Sequence, residues 1–211
     1  MFISNSNYNI HTLLVRMYRL NEIIVNLGCL LMFFNINDRR DSIVAHMWLI
    51  HFIKRVYEVT YIHNYTRTTD SVSFGDRLFE VFYFNIFSYF ITGELNNNFD
   101  FNWANKLLVF IWGWAQMQNY ICHLHLARLP NNIDTNKSIP HGQWFNIYTA
   151  PNYSFELLSW LCFTLVSGSR YSTYFTICSG IRMYKRSKVK KNYYKTLNSH
   201  YDNNLLFPNK K

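Results

Sequence analysis

Acidic residues are scarce in this chain: 12 Asp and Glu stand against 21 Lys and Arg in 211 residues, a formal net charge of +9. That imbalance suits contact with anionic lipid. Glycine is also thin, at 7 residues, and no GxGxxG or GxxxxGK[ST] run occurs. The chain therefore lacks the mechanical parts of a soluble Rossmann domain and of a P-loop, and the absence of HExxH removes a zincin. Cysteine is limited to Cys29, Cys122, Cys162 and Cys178, with no CxxC spacing. All four lie in or beside apolar runs and read as packing residues rather than disulfides or zinc ligands, so no metal is expected. Basic charge is not interleaved with an exposed aromatic platform outside the apolar runs, which argues against nucleic acid as a partner. The first nineteen residues have no compact apolar core followed by a small-residue cleavage site, which argues against a removable signal peptide.

Hydrophobic residues, by contrast, make up 49% of the chain and aromatic ones 19%. The mean hydropathy of -0.12 hides their grouping, because Asn, Lys and Arg concentrate in the ends and connectors. Apolar runs of helix length cover Leu20 to Phe34, Ile43 to Ile62, Leu78 to Ile91, Trp103 to Leu126 and Tyr153 to Met183, the last breaking near Ser167-Gly-Ser-Arg170. Most approach the ~17 to 25 residues of a bilayer-crossing helix. The pattern predicts an all-α fold, a polytopic membrane helix bundle of about five or six transmembrane helices. A soluble helical bundle is the alternative, since few runs reach about 18 residues without a charged or strongly polar group. Asn96 to Asn98 and Asn131 to Asn136 read as connectors. Basic residues cluster in Arg182 to Lys195 and at Lys210 and Lys211, which by the positive-inside rule predicts a cytosolic C-terminus.

Polar residues inside the apolar runs carry the functional signal. His51, Lys54, Arg55 and Glu58 fall within an arc of roughly 100° on one helical face. A structural ion network, with Glu58 neutralising Lys54 or Arg55, is one reading; a lined substrate cavity is the other. Asn119 and His123 stand one turn apart, followed by Arg128, and polar capping of a helix end explains them as well as a site does. The next helix is expected to open with Asn152, Tyr153 and Glu156. Its N-terminus suits a phosphate or other polar cofactor group, or Asn152 is only a cap and Glu156 a residue favoured by the helix dipole.

The block His141-Gly-Gln-Trp-Phe-Asn-Ile-Tyr-Thr-Ala-Pro-Asn-Tyr-Ser-Phe-Glu-Leu-Leu-Ser-Trp160 sets Pro-Asn-Tyr-x-x-Glu against a long apolar run. It resembles the signature of the steroid 5-alpha-reductase superfamily, and within it the trans-2-enoyl-CoA reductase branch of very-long-chain fatty acid elongation. His51-Phe-Ile-Lys-Arg-Val-Tyr-Glu-Val-Thr-Tyr-Ile-His63 is similar to that branch's His-Tyr-x-Lys-Arg-x-x-Glu-Thr-x-Phe-x-His. Asn119-x-x-x-His123, Ile139-Pro140, Phe145-Asn146 and Pro151-Asn-Tyr-x-x-Glu156-x-x-x-Trp160 follow in the family's order. Glu22 falls where relatives carry a membrane-embedded Glu. Phe52 stands for the usual Tyr, and Ala127 and Pro130 for basic residues. In the tail, Lys188, Lys190, Lys191 and Tyr194 are similar to a Lys-x-Lys-His-x-x-Tyr cofactor motif, with Lys191 in place of His.

The resemblance implies NADPH-dependent reduction of a long-chain trans-2-enoyl-CoA in the endoplasmic reticulum membrane. It also implies a multi-pass chain and the other fatty acid elongation enzymes as partners. Adding hydride to the β carbon of a conjugated thioester builds charge on the thioester oxygen, so an acid and an electrophilic anchor are needed. The resemblance makes Tyr153 the proton donor and Lys54 its neighbouring cation. It assigns Asn119, His123, Arg128, Asn152, Glu156, Lys188, Lys191 and Tyr194 to the cofactor, and Glu22, His51, Arg55 and Glu58 to the substrate. The expected division is a short segment over 1–19, a membrane reductase domain over 20–195 and a basic cytosolic tail over 196–211, a reduced form without the ubiquitin-like domain that relatives often carry. A steroid or polyprenol reductase of the same superfamily, or a non-catalytic membrane scaffold derived from it, are the alternatives.

Overall fold

The computed structural model describes residues 20, 23–24, 26–28, 43–62, 74–94, 102–129 and 139–206, with backbone alone at 74–81 and 92. Glu22, Cys29, Asn96 to Asn98, Pro130, Asn131 to Asn136, Lys210 and Lys211 lie outside the described residues. The chain divides into two compact units, Met1–Asn97 and Asn98–Lys211. Both are helical, and among the described residues the only β pairing is an isolated bridge between Tyr148 and Asn204.

In the first unit, residues 26–28 are helical, α1 spans Ile43–Tyr57 and α2 spans Phe74–Glu94. Gly28 faces the Asn85 side chain so closely that a Cβ there would collide with it. Helix α1 buries Val44, Ala45, Met47, Trp48, His51 and Phe52 along one face, with Trp48 and Phe52 rings 4.7 Å apart. It then widens into a π-helical turn over Glu58–Ile62, an irregularity that is rare and concentrates at functional sites.

In the second unit, α3 spans Trp103–Ala127, a 3₁₀ turn covers Gln143–Asn146, α4 spans Pro151–Ser167 and α5 spans Arg170–Leu197. Asn102 caps α3, its side chain accepting from Asn105 N–H at 2.9 Å. The expected break at Ser167-Gly-Ser-Arg170 is present. Gly168 ends α4 at φ 61°, the left-handed position that favours glycine, and the Ser169 side chain caps α5. Helices α4 and α5 pack closely at Gly180, where a Cβ would stand 3.2 Å from Leu157. Hydroxyls link the two helices: Thr164 and Thr176 Oγ1 atoms are 2.8 Å apart, and Ser167 and Ser172 Oγ atoms 3.0 Å.

Among the described residues no helix is long and apolar enough to cross a membrane, which differs from the expected five or six spans. The reason lies in where the polar residues sit. On α3 the exposed residues Trp103, Leu107, Phe110, Trp114 and Met117 recur at four- and three-residue spacing, one stripe about 21 Å long. Its buried face holds Gln116, Asn119 and His123 beside Trp112, Ala115 and Cys122. Linear hydropathy averages an apolar outside with a polar inside. Helix α4 is instead limited by its 17-residue length, and the C-terminal half of α5 by its lysines.

Candidate active site

Two of the residues singled out from sequence meet across α3 and α4. Asn119 Nδ2 donates to the Asn152 carbonyl at 2.8 Å, and both residues are almost fully buried, at 1% and 3% exposure. Asn119 is therefore no part of a helix-end cap; it sits mid-helix and ties α3 to the first turn of α4. Asn152 is not a cap either. Ala150 holds the N-cap position without a side-chain bond and Pro151 begins the helix, its fixed φ and missing N–H matching that position. The Asn152 Oδ1 atom is left buried with no hydrogen-bond partner among the described residues, as is His125 Nε2. Buried polar atoms of this kind are rare without a role, because each forfeits its hydration. Among the described residues no group of three or more His, Cys, Asp or Glu could hold a metal ion.

The frame around Asn152 comes from two directions. Cys122, Phe145 and Phe155 form an apolar cluster against which Leu126 and Trp144 pack. Trp144 lies edge-on to Phe155 at 5.2 Å and its Nε1 donates to Gln118 Oε1 at 2.9 Å. From the other side, residues 201–206 return from the end of α5 as a strap. Thr149 N–H donates to the Asn204 carbonyl at 2.7 Å, Asn204 N–H to the Ile147 carbonyl at 3.0 Å, and Ser154 Oγ to the Leu206 carbonyl at 2.7 Å. Asn203 Nδ2 donates to the Phe145 carbonyl at 2.6 Å. This part of the predicted tail thus encloses the Pro151-Asn-Tyr turn.

Three neighbouring lysines of α5 have different surroundings. Lys188 is exposed. Lys191 pairs with Asp202 on the strap, Nζ to Oδ1 3.1 Å. Lys190 points inward, its Nζ 4.7 Å from the centroid of the Tyr153 ring. Tyr194, one turn further, meets Tyr201 edge-on at 5.2 Å. Burial holds the Tyr194 phenol above its usual range, with the neighbouring Tyr201, Tyr153 and Tyr193 adding to that effect. Tyr201 is raised as well, by burial, against hydrogen bonds from Thr149 and Asn203. The sequence motif includes Lys188, Lys190 and Lys191, and the expected cofactor set took Lys188 and Lys191 from it. The signal was helical phase: Ser187, Lys190 and Tyr194, at i, i+3 and i+7, share one face.

His123 is buried at 8% exposure, Glu156 partly buried, and Arg128 an exposed residue at the C-cap of α3. In the first unit, Glu58 is fully buried between two cations: Arg55 Nη1 donates to its Oε2 at 3.1 Å and Lys54 Nζ stands 3.4 Å from Oε1. The ion network considered from sequence is present there, with His51 buried one turn earlier. Lys54 and Tyr153 belong to different units. Cys122 and Cys162 are buried and Cys178 is exposed, all as free thiols.

A family model described as 3-oxo-5-alpha-steroid 4-dehydrogenase matches residues 71–207. A Schizosaccharomyces pombe protein named as an enoyl reductase is 32% identical over 149 residues, 67% of this chain and 50% of its own. The very-long-chain enoyl-CoA reductase of Dictyostelium discoideum is 28% identical over 148 residues, 64% of this chain and 45% of its own. The human polyprenal reductase is 24% identical over 155 residues, 66% and 48% of the two chains. The chain spans about half the length of these curated relatives.

Proposed function

The chain belongs to the 3-oxo-5-alpha-steroid 4-dehydrogenase family, and from that premise we propose that it is a membrane oxidoreductase reducing the conjugated double bond of a long-chain trans-2-enoyl-CoA with NADPH, the last step of very-long-chain fatty acid elongation. The name of one relative, a very-long-chain enoyl-CoA reductase, supports the acyl-CoA substrate, and that of another, an enoyl reductase, supports reduction of an enoyl group. The observation that carries the reading is the first turn of α4, held by the Asn119 bond to the Asn152 carbonyl, where Asn152 Oδ1 is buried with no partner among the described residues, one residue from Tyr153.

The residues present fit a nicotinamide cofactor. A carboxamide N–H matches the orphaned Asn152 Oδ1, and His125 Nε2 offers a second buried polar atom. When bound, the reduced cofactor supplies a hydride to the β carbon. Asn119 fixes the first turn of α4, so that Asn152 and Tyr153 are held in one orientation. Tyr153 gives the proton required at the α carbon. His123, Arg128, Glu156, Lys188, Lys191 and Tyr194 complete the proposed cofactor set. Lys54 is the proposed cation for the reaction, while Glu22, His51, Arg55 and Glu58 shape the substrate side.

Membrane placement, with the C-terminus in the cytosol of the endoplasmic reticulum face and the elongation enzymes nearby, is part of the proposal. The outward stripe of Trp103, Leu107, Phe110, Trp114 and Met117 supports it. Apolar side chains facing out and Asn, Gln and His facing in is the arrangement that lipid requires and water penalises. The Thr164–Thr176 and Ser167–Ser172 links are the kind of contact that holds helices together without a hydrophobic driving force.

Polyprenal reductase relatives support a second substrate, a polyprenal. The test is NADPH oxidation by the purified protein in detergent, with trans-2-hexadecenoyl-CoA and a polyprenal in parallel. Turnover of the thioester alone supports the elongation reading and turnover of the aldehyde alone transfers the site to polyprenols. Turnover of neither, in a folded protein that also fails to bind NADPH, leaves a scaffold.

A further inference from the structure

We propose that Lys190 is the positioning residue of the candidate acid, its ammonium seating the Tyr153 ring and facing the charge left on Tyr153 when the proton departs. This rests on the reductase reading, in which the family pattern supplies Lys54 as the cation. The geometry within the second unit supplies another. Lys190 Nζ lies 4.7 Å from the ring centroid, inside the ~6 Å over which an ammonium is attracted to an aromatic face.

The surroundings hold Lys190 there. It shares the inward face of α5 with Ser187, which is fully buried, and with Tyr194. Tyr194 is braced edge-on by Tyr201, and Tyr201 stands on the strap that Lys191 pins through Asp202. Lys191 thus secures the strap and leaves Lys190 to Tyr153. The Tyr153 backbone is fixed independently, its N–H donating to the Ala150 carbonyl at 3.0 Å.

In the reaction the Tyr153 O–H bond breaks as a new C–H bond forms at the α carbon. The O–H electron pair stays on the phenolate oxygen, and water later returns the proton. The hydride that completes the reduction comes from the proposed nicotinamide. An ammonium beside the ring is attracted more strongly to the electron-rich phenolate than to the neutral phenol, so it favours the state in which the proton has been given. Lys190 touches neither substrate nor reacting carbon; it acts through Tyr153.

Two measurements test this. The first is NMR of the folded protein with its lysines reductively methylated with carbon-13, the Lys190 resonance being assigned by its loss in Lys190→Arg. A ring-current displacement of that resonance, collapsing to the bulk lysine position in Tyr153→Leu, supports the contact; a bulk position in the wild type overturns it. The second is a double-mutant cycle on single-turnover rate. Lys190→Met is expected to slow the wild type about tenfold, between the sizes of an exposed and a desolvated cation–π contact, as suits a partly buried lysine. It should add nothing in a Tyr153→Phe background and leave NADPH affinity unchanged, while Lys190→Arg restores most of the rate. Equal losses in both backgrounds, or a loss carried by NADPH affinity, overturn the proposal. If the wild type reduces neither an enoyl-CoA nor a polyprenal, the reductase reading fails while the resonance still decides the pairing.

Discussion

The two units handle buried polarity in opposite ways. In the first, Glu58 is fully buried between two cations within a single turn: Oε2 accepts from Arg55 at 3.1 Å, while Oε1 meets Lys54 at 3.4 Å by charge alone, with no hydrogen bond among the described residues. In the second, the buried polar groups between α3 and the start of α4 are neutral. The Asn119 to Asn152 bond ties these helices together, and Asn152 Oδ1 and His125 Nε2 keep no partner among the described residues. An ion network within one turn fixes the shape of a helix, whereas a buried neutral atom met by neither charge nor hydrogen bond is suited to a ligand that supplies one. The difference separates the part whose buried charge is met by its own cations from the part whose buried amide is left open to the cofactor.

Tyr153→Phe is the sharpest way to press on that division. It should reduce turnover by about 10² to 10⁴, the usual contribution of a general acid, with NADPH binding and unfolding unchanged. Glu58→Gln should act on folding, costing about 3 kcal/mol in denaturant unfolding because two cations lose their carboxylate. If stability holds instead, the ion network does not brace the first unit and the contrast breaks.

Asn119→Ala removes the donor to the Asn152 carbonyl and should cost about 1 to 3 kcal/mol of stability, read by thermal unfolding. Gly168→Ala, at the left-handed end of α4, should cost about 1 kcal/mol in the same experiment. The smallest effect is a pH dependence. Tyr194 has a folded-state pKa raised above 10.0 by burial. Its contribution to stability is therefore complete below about pH 10 and is lost as pH rises through the raised value, at up to about 1.4 kcal/mol per pH unit. Tyr194→Phe, which cannot ionise, should show a shallower alkaline loss in the same titration.

The helices were readable because apolar runs and stop signals coincide: Trp103 to Leu126 became Trp103–Ala127, and Ser167-Gly-Ser-Arg170 broke the last run. The Asn119–Asn152 meeting was legible as two motifs but not as a bond, since only packing of α3 on α4 brings a mid-helix amide to a first-turn carbonyl. The strap over 201–206 gave no signal, because its bonds run through backbone groups that any residue carries. Lys190 stood in the tail motif beside Lys188 and Lys191, and only helical phase tells which of the three faces Tyr153. The outward stripe of α3 was averaged away by the amides on its other face.

The most direct measurement is NADPH affinity by calorimetry in the wild type, Asn152→Ala and Glu58→Gln, each checked for folding. The account predicts that Asn152→Ala weakens binding about tenfold or more, by removing a buried hydrogen bond worth at least ~1.4 kcal/mol to the complex, and that folded Glu58→Gln binds as the wild type does. Equal affinity in Asn152→Ala, or a loss confined to Glu58→Gln, would contradict it.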